Sequence, residues 1–375
     1  MEFPDTLPKR SKLLIAAGNH LLILYIQSYY KKQILMKAPE SELPNRHITL
    51  SVISGFYHAL SWRHITDPMQ QRFGRELVSK FSHEAHLDGN PTHICQALAM
   101  EASYFSRLAD FEQALDAVKG LEGCYKFEEH SSGILRQYGH DFCAQTFSDS
   151  VLWYNIIGDK ERAKEQIDFI IKNHLPKINP KSVDRIMQLL YPLLIAMKEM
   201  KMAGQAHELL IKFVSSRFTE YDCSLTHWKT LYAPTANLLE AARMEEIHHY
   251  NKEKLNEIEF WVLKEENTAF SPFMRTKGCL MVGEICWILA QRKRKKGKRE
   301  KVKLIQLGSN LLSSISKEEQ MDVFMVNHCE LLLSKINAMR GKSQRTRSLM
   351  LRNALTSTKS VREIFNKKLM RSVTR

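Results

Sequence analysis

Six side chains with metal-ligand chemistry crowd into the stretch SHEAHLDGNPTHIC: His83, Glu84, His86, Asp88, His93 and Cys95. A zinc-protease helix needs two histidines four residues apart on one face with a glutamate between them. Here His83 and His86 are three apart, and Asp88-Gly89 promptly ends the helix. The spacing therefore predicts a solvated helix end and joint, with no metal bound. A phosphate-binding loop needs glycine amides ahead of its Gly-Lys-Ser ending. Gly341-Lys342-Ser343 supplies that ending alone, because Ile336 stands where the first glycine belongs and no strand precedes it. The tripeptide reads instead as a helix C-cap. His248-His249 and Glu128-Glu129-His130 are adjacent residues that point different ways on a helix, so they do not converge. No nucleophile elbow, kinase signature or paired-carboxylate arrangement is present. The expectation is a protein without catalytic residues, metal or cofactor.

A second kind of chemistry is electrostatic. The tract QRKRKKGKREK carries Arg292, Lys293, Arg294, Lys295, Lys296, Lys298, Arg299 and Lys301, eight cations in eleven residues. That density is enough to hold phosphates by counterion release, and it has the composition of a nuclear localisation signal. No aromatic interleaves it, so it offers no platform for base stacking. Gly297 inside the tract permits a bend, and the flanking apolar stripes predict an exposed loop between two helices. Residues 291–375 hold 22 Lys and Arg against 6 Asp and Glu, whereas residues 1–290 hold 33 against 35, so the net charge of +14 comes entirely from the C-terminal end. In the same region Thr346 and Ser348 follow Arg345 and Arg347, a context basophilic kinases prefer. Leu351, Leu355, Val361, Ile364, Phe365 and Leu369 stripe a basic amphipathic segment, read as a terminal capping helix with one polar face.

The elements that must position these residues are helices. The chain of 375 residues is 44% hydrophobic and 26% charged, with only 15 glycines and 11 prolines, a composition of long helices and ample core. Seven cysteines with no Cys-x-x-Cys pair indicate buried free thiols in a reducing compartment. The apolar run Leu13–Ile26 is interrupted by Gly18-Asn19-His20 and is too short to span a bilayer, so it reads as a buried helix. Trp153, Trp228, Trp261 and Trp287 lie in apolar stripes and read as core.

From Pro91 onward apolar residues recur at three- and four-residue spacing in blocks separated by short joints. In the first pair of blocks, Ala102 and Phe105 precede a joint at Asp110, and Phe111 and Ala114 follow it. In the second, Val151 and Tyr154 lead to Gly158-Asp159, then Ala163, with Pro176 stopping the helix. A third, more degenerate copy is centred on Ala206, so the periods between the three alanines are 49 and 43 residues. Three further hairpins follow, from 225–267, across the basic tract from 273–315, and from 320–365. Helices are also expected near residues 11–36, 48–62 and 70–86, and no alternating strand pattern occurs. The fold expected is all-α, a superhelical array of antiparallel helical hairpins, with a helical segment at 1–90, repeats at 91–290 and basic hairpins continuing the array at 291–375.

These residues resemble the tetratricopeptide pattern, in which a small residue and an aromatic precede a Gly-Asp-like turn, an alanine opens the second helix and a proline closes the unit. The matches are Ala102, Phe105, Asp110, Phe111 and Ala114, then Val151, Tyr154, Gly158, Asp159, Ala163 and Pro176. The period exceeds the family's 34 residues and the first-helix Trp and Leu-Gly are missing, so the likeness is to a lengthened variant. Residues 90–290, through the segments 138–163, 175–180 and 189–206, also resemble the C-terminal helical region of algal and diatom multidomain proteins with an AAA ATPase or cyclase. The resemblance implies a non-catalytic scaffold for protein partners, in signalling. A regulatory arm of an ATPase or cyclase is the alternative, and binding of nucleic acid or another acidic partner through the basic end is the third. The compartment expected is the cytoplasm, with the nucleus as alternative through residues 291–301.

Overall fold

The structure is a computed structural model that describes residues 68–138, 141–178, 183–214, 231–264, 270, 274–292, 298–315 and 323–339. They form thirteen α-helices, with no strand among the described residues, so the all-α expectation holds. In chain order these are α1 (Pro68–Asp88), α2 (Pro91–Arg107), α3 (Phe111–Cys124), α4 (Phe127–Tyr138), α5 (Phe142–Ile157), α6 (Lys160–Phe169), α7 (Val183–Glu199), α8 (Ala203–Val214), α9 (Tyr232–Glu246), α10 (Lys252–Leu263), α11 (Arg275–Arg292), α12 (Lys298–Ile315) and α13 (Val323–Met339). The helix expected near 70–86 is α1, whereas those near 11–36 and 48–62 and the C-terminal amphipathic segment lie outside the described residues. The Leu13–Ile26 run, Trp228, Gly341-Lys342-Ser343, Thr346 and Ser348 lie outside them too.

Internal contacts divide the chain into two compact units, one of residues up to Tyr104 with Ala117–Cys143, the other of Phe105–Asp116 with Ala144 onward. In the first unit α2 and α3 run side by side: a Cβ placed on Gly120 would lie 3.3 Å from the Leu98 side chain, so a larger residue there would press the helices apart. Leu77, Phe81, Ala85, Met100, Leu121 and Ile134 fill its core.

In the second unit one turn is used three times. At each, the residue opening the new helix's cap donates its N–H to a carbonyl five residues back: Asp110 to Phe105 (2.9 Å), Asp159 to Tyr154 (2.9 Å) and Met202 to Met197 (3.0 Å). The residue just before is left-handed in every case: Ala109 at φ 60°, Gly158 at φ 99° and Lys201 at φ 67°. Four residues further on, Ala114, Ala163 and Ala206 donate to Asp110, Asp159 and Met202, and all three alanines are fully buried. This is a Schellman-type helix end followed at once by a second helix. Asp110 and Asp159 also accept an N–H with the side chain, from Gln113 (3.3 Å) and Arg162 (3.1 Å).

Because glycine alone enters the left-handed region without strain, these turns carry a direct prediction. Lys201→Gly is expected to raise stability by about 0.5–1 kcal/mol, and Gly158→Ala to lower it by about 1–2 kcal/mol. Urea midpoints of the two variants measure both signs.

Pro176 does not itself end α6. The α-helix closes at Phe169, widens into a π-helical turn over Ile170–His174 and then tightens into a 3-10 turn over Leu175–Lys177 that contains the proline. A proline lacks the N–H that would continue the ladder, and the wide turn rearranges the bonding a full turn ahead of it. In the first of the three further hairpins Met244, Glu245 and Glu246 still belong to α9, and α10 starts only where Asn251 accepts the Lys254 N–H at 3.1 Å.

From α7 to α13 every helix packs on its successor, and α7, α9, α11 and α13 form a second series in which each odd-numbered helix packs on the next. A continuous core joins α9 to α13 through Leu238, Ile258, Val282, Ile285, Leu304, Leu312, Cys329 and Ile336. Each fully buried aliphatic side chain of this kind contributes about 1.5–3 kcal/mol.

Candidate functional site

The odd-numbered helices share more than apolar contact. Near the C-terminal end of α7, Lys198 has only 5% of its side chain exposed, and its ammonium lies 2.5 Å and 2.6 Å from the two carboxylate oxygens of Glu284 in the middle of α11. Glu199 approaches the same ammonium at 3.0 Å. His328 of α13 reaches Glu284 from the other side at 3.9 Å. One turn along α11, the Trp287 ring lies under the ammonium of Lys335 of α13, 4.3 Å from ring centroid to nitrogen. At the end of α11, the Arg292 guanidinium sits 4.4 Å over the Tyr250 ring and donates to Glu245 of α9 at 3.3 Å. Lys277 of α11 lies 5.1 Å over Tyr191 of α7.

The electrostatics follow from burial. Burial alone would neutralise Lys198, but Glu284 and Glu199 reverse that and hold its pKa above the ordinary lysine value. Burial likewise opposes ionisation of Glu284, and Lys198 and His328 outweigh it, so its carboxyl stays ionised well below the usual range. Lys335 differs: desolvation pushes its pKa down despite the pull of Glu284 and Glu199. The arrangement is a set of charge pairs and cation–ring contacts between helices. It fixes the relative positions of α7, α11 and α13, and it leaves Arg292 and Glu245 about one-third exposed at its edge.

The first unit holds a different polar cluster. Asp141 is buried and accepts hydrogen bonds from the Tyr125 hydroxyl at 2.8 Å and from the Ser131 hydroxyl. Burial and the Asp141 charge together push the Tyr125 pKa far up. The neighbouring His130 accepts the Lys126 backbone N–H with its Nδ1 at 2.9 Å, at the head of α4.

The sequence-predicted residues fall as follows. Ala102, Phe111, Ala114, Val151, Tyr154, Ala163 and Ala206 are buried, Phe105 and Asp110 half-buried, and Gly158, Asp159 and Pro176 exposed at turns. Trp153 is buried, while Trp261 and Trp287 are only partly so. The joint after α1, expected to be solvated, is partly buried instead, for His93 is fully buried and its Nδ1 pairs with Asp88 Oδ2 at 2.8 Å. The carboxylate at the end of α1 thus reaches a partner that a solvated joint would lack. His83 and His86 are exposed, and among the described residues no group of three or more His, Cys, Asp and Glu could hold a metal ion.

The basic tract is divided, where a loop was expected throughout. Arg292 closes α11 and is engaged with Tyr250 and Glu245, whereas Lys298, Arg299 and Lys301 belong to the first turn of α12. Only Lys293, Arg294, Lys295 and Lys296, with Gly297, stand between the helices, outside the described residues. Helix α12 begins so early because Leu304 and Ile305, both buried, need a turn of helix ahead of them to face the core. No described helix is long and apolar enough to cross a membrane. Compared with known protein families, curated proteins and solved structures, the chain matches none. No comparison supports the tetratricopeptide resemblance, which rests on the sequence pattern around Ala114, Ala163 and Ala206 alone.

Proposed function

We propose that this chain is a non-catalytic helical-repeat scaffold that holds a protein partner along the face shared by α7, α9, α11 and α13. One observation carries the reading: the odd-numbered helices pack in series from α7 to α13 while the even-numbered ones alternate between them. Stacked hairpins of that order build a solenoid whose rigid helices present side chains in rows, a surface suited to an extended peptide or a domain. Arg292, Glu245 and Lys335 line the row and supply charge complementarity, which favours specificity and association rate over raw affinity. The thrice-repeated turn around Ala114, Ala163 and Ala206 supports extension of the array toward the N-terminal side.

The test is cross-linking of the full chain in extract from its own cells, with mass spectrometric mapping. Cross-links are expected to concentrate on α7, α9, α11 and α13 and to be lost in an Arg292→Glu, Lys335→Gln variant that retains its thermal transition. Cross-links spread evenly over the surface, or unchanged in that variant, would reject the reading. An ATPase or cyclase among the partners would make the scaffold the regulatory arm of a nucleotide-driven machine.

A further inference from the structure

Cys95, on the second turn of α2, and Cys124, the last residue of α3, are 29 positions apart in sequence, yet their sulfurs lie 3.2 Å from one another. Cys95 is fully buried, while Cys124 is partly open to solvent. Leu98 against Gly120 confirms that the two helices are antiparallel and close over this stretch. The pair therefore sits at the helix ends remote from the Leu108–Asp110 joint.

We propose that Cys95 and Cys124 form a peroxide-oxidisable dithiol, whose disulfide closes the open end of the α2/α3 hairpin. The two thiols are not equivalent, and their surroundings assign their roles. The hydrogen bond between the two sulfurs lowers the Cys124 pKa against the opposing effect of burial. The same bond first, then burial, with a smaller part from the Asp141 charge, keep Cys95 protonated. Cys143, fully buried, is also held as a thiol, first by burial and then by Asp141. The accessible sulfur is thus the one favoured as thiolate, and the thiolate is the nucleophile. Its partner waits within reach with the proton.

The chemistry balances in two steps. The Cys124 thiolate attacks one oxygen of a hydroperoxide; the S–O bond forms, the O–O bond breaks, and the leaving oxygen takes a proton to depart as water or an alcohol. Cys95 sulfur then attacks Cys124 sulfur; the S–S bond forms, the S–O bond breaks, and hydroxide leaves as water with the proton from Cys95. Two thiols are oxidised and one peroxide is reduced. The sulfenic acid is the intermediate and the disulfide its resolved product. The sulfurs need to close by roughly 1.2 Å to reach bonding distance, a shift that rotation about the terminal Cys124 side chain can share.

The experiment uses the full chain treated with hydrogen peroxide and digested without reductant. A Cys95–Cys124 cross-linked peptide is expected at one peroxide per pair, reversed by dithiothreitol, with Tm higher by about 5 °C in the oxidised form. In Cys95→Ser the Cys124 sulfenic acid is expected to persist and to be trapped by dimedone. In Cys124→Ser neither the adduct nor the Tm increase should occur. Absence of the cross-linked peptide in the unsubstituted protein would overturn the proposal, as would preferential oxidation of another cysteine. That measurement does not depend on either variant folding.

Discussion

Replacing Lys198 with methionine is expected to destabilise the protein by about 3–5 kcal/mol, the cost of leaving a buried carboxylate without its partner. Glu284 has 15% of its side chain exposed and Lys198 only 5%, so water cannot take the place of the lost ammonium. His328, at 3.9 Å, supplies only part of what the Lys198 contact at 2.5 Å gives Glu284. The double variant Lys198→Met, Glu284→Leu should recover most of the loss, because an apolar pair of similar volume avoids the desolvation cost of both charges. Urea denaturation of the single and double variants gives the coupling; equal instability of both would mean that packing, and not charge, sets the effect.

The same pair predicts a pH dependence with a definite sign. The folded-state pKa of Glu284 lies at about 2, below the ordinary glutamate value. Its contribution to stability is therefore complete above about pH 4.3 and is lost as the pH falls toward 2. Lys198, raised above the ordinary lysine value, contributes fully at neutral pH and loses its part only at the alkaline extreme. In Lys198→Met the sign for Glu284 reverses. Its carboxyl, buried without the lysine, is more easily protonated, so the penalty of that variant should shrink between pH 7 and pH 4.5. A penalty independent of pH would separate the instability from the charge.

The parts legible in the sequence are those whose cause is local. Asp110, Gly158 and Asp159 are turn residues by their own chemistry, and the buried alanines at 114, 163 and 206 mark where the second helix of each pair begins. The third turn was harder to read because Lys201 occupies the left-handed position that Gly158 fills in its counterpart. A long, exposed side chain gives no hint of positive φ. The Lys198–Glu284 pair was not legible at all: the residues are 86 positions apart, and each sits in a helix rich in other charges or apolar neighbours. The dithiol escaped for the same reason, since Cys95 and Cys124 show no motif spacing and meet only because α2 and α3 fold back on each other. The basic tract misled in the opposite direction. Its composition suggested one loop, while the buried pair Leu304 and Ile305 draws its second half into α12.

Gly283 of α11 and Gly308 of α12 explain how these two helices can pack so closely, and they carry the second large prediction. A Cβ on Gly308 would lie 2.9 Å from the Ile336 methyl terminus and 3.0 Å from the Cβ of Cys286. The isoleucine terminus can rotate away, but the Cys286 Cβ is fixed to the α11 backbone and cannot move without that helix. Gly283 faces the same seam, where a Cβ would lie 2.8 Å from Leu312. Gly308→Val is therefore expected to cost about 3 kcal/mol through overpacking, even though glycine is a poor helix former by about 1 kcal/mol relative to alanine. Gly308→Ala should cost less, about 1–2 kcal/mol in the native background. In a Cys286→Gly background it should become neutral or stabilising, because the rigid obstacle is gone while the gain in helix propensity remains. A double-mutant cycle on urea midpoints reads that coupling directly. Should Gly308→Ala stabilise the protein without the Cys286 change, α11 and α12 would have to lie farther apart than the contact with Cys286 requires. The row of α9, α11 and α13 side chains would then lose the spacing that brings Lys335 over Trp287 and Arg292 over Tyr250.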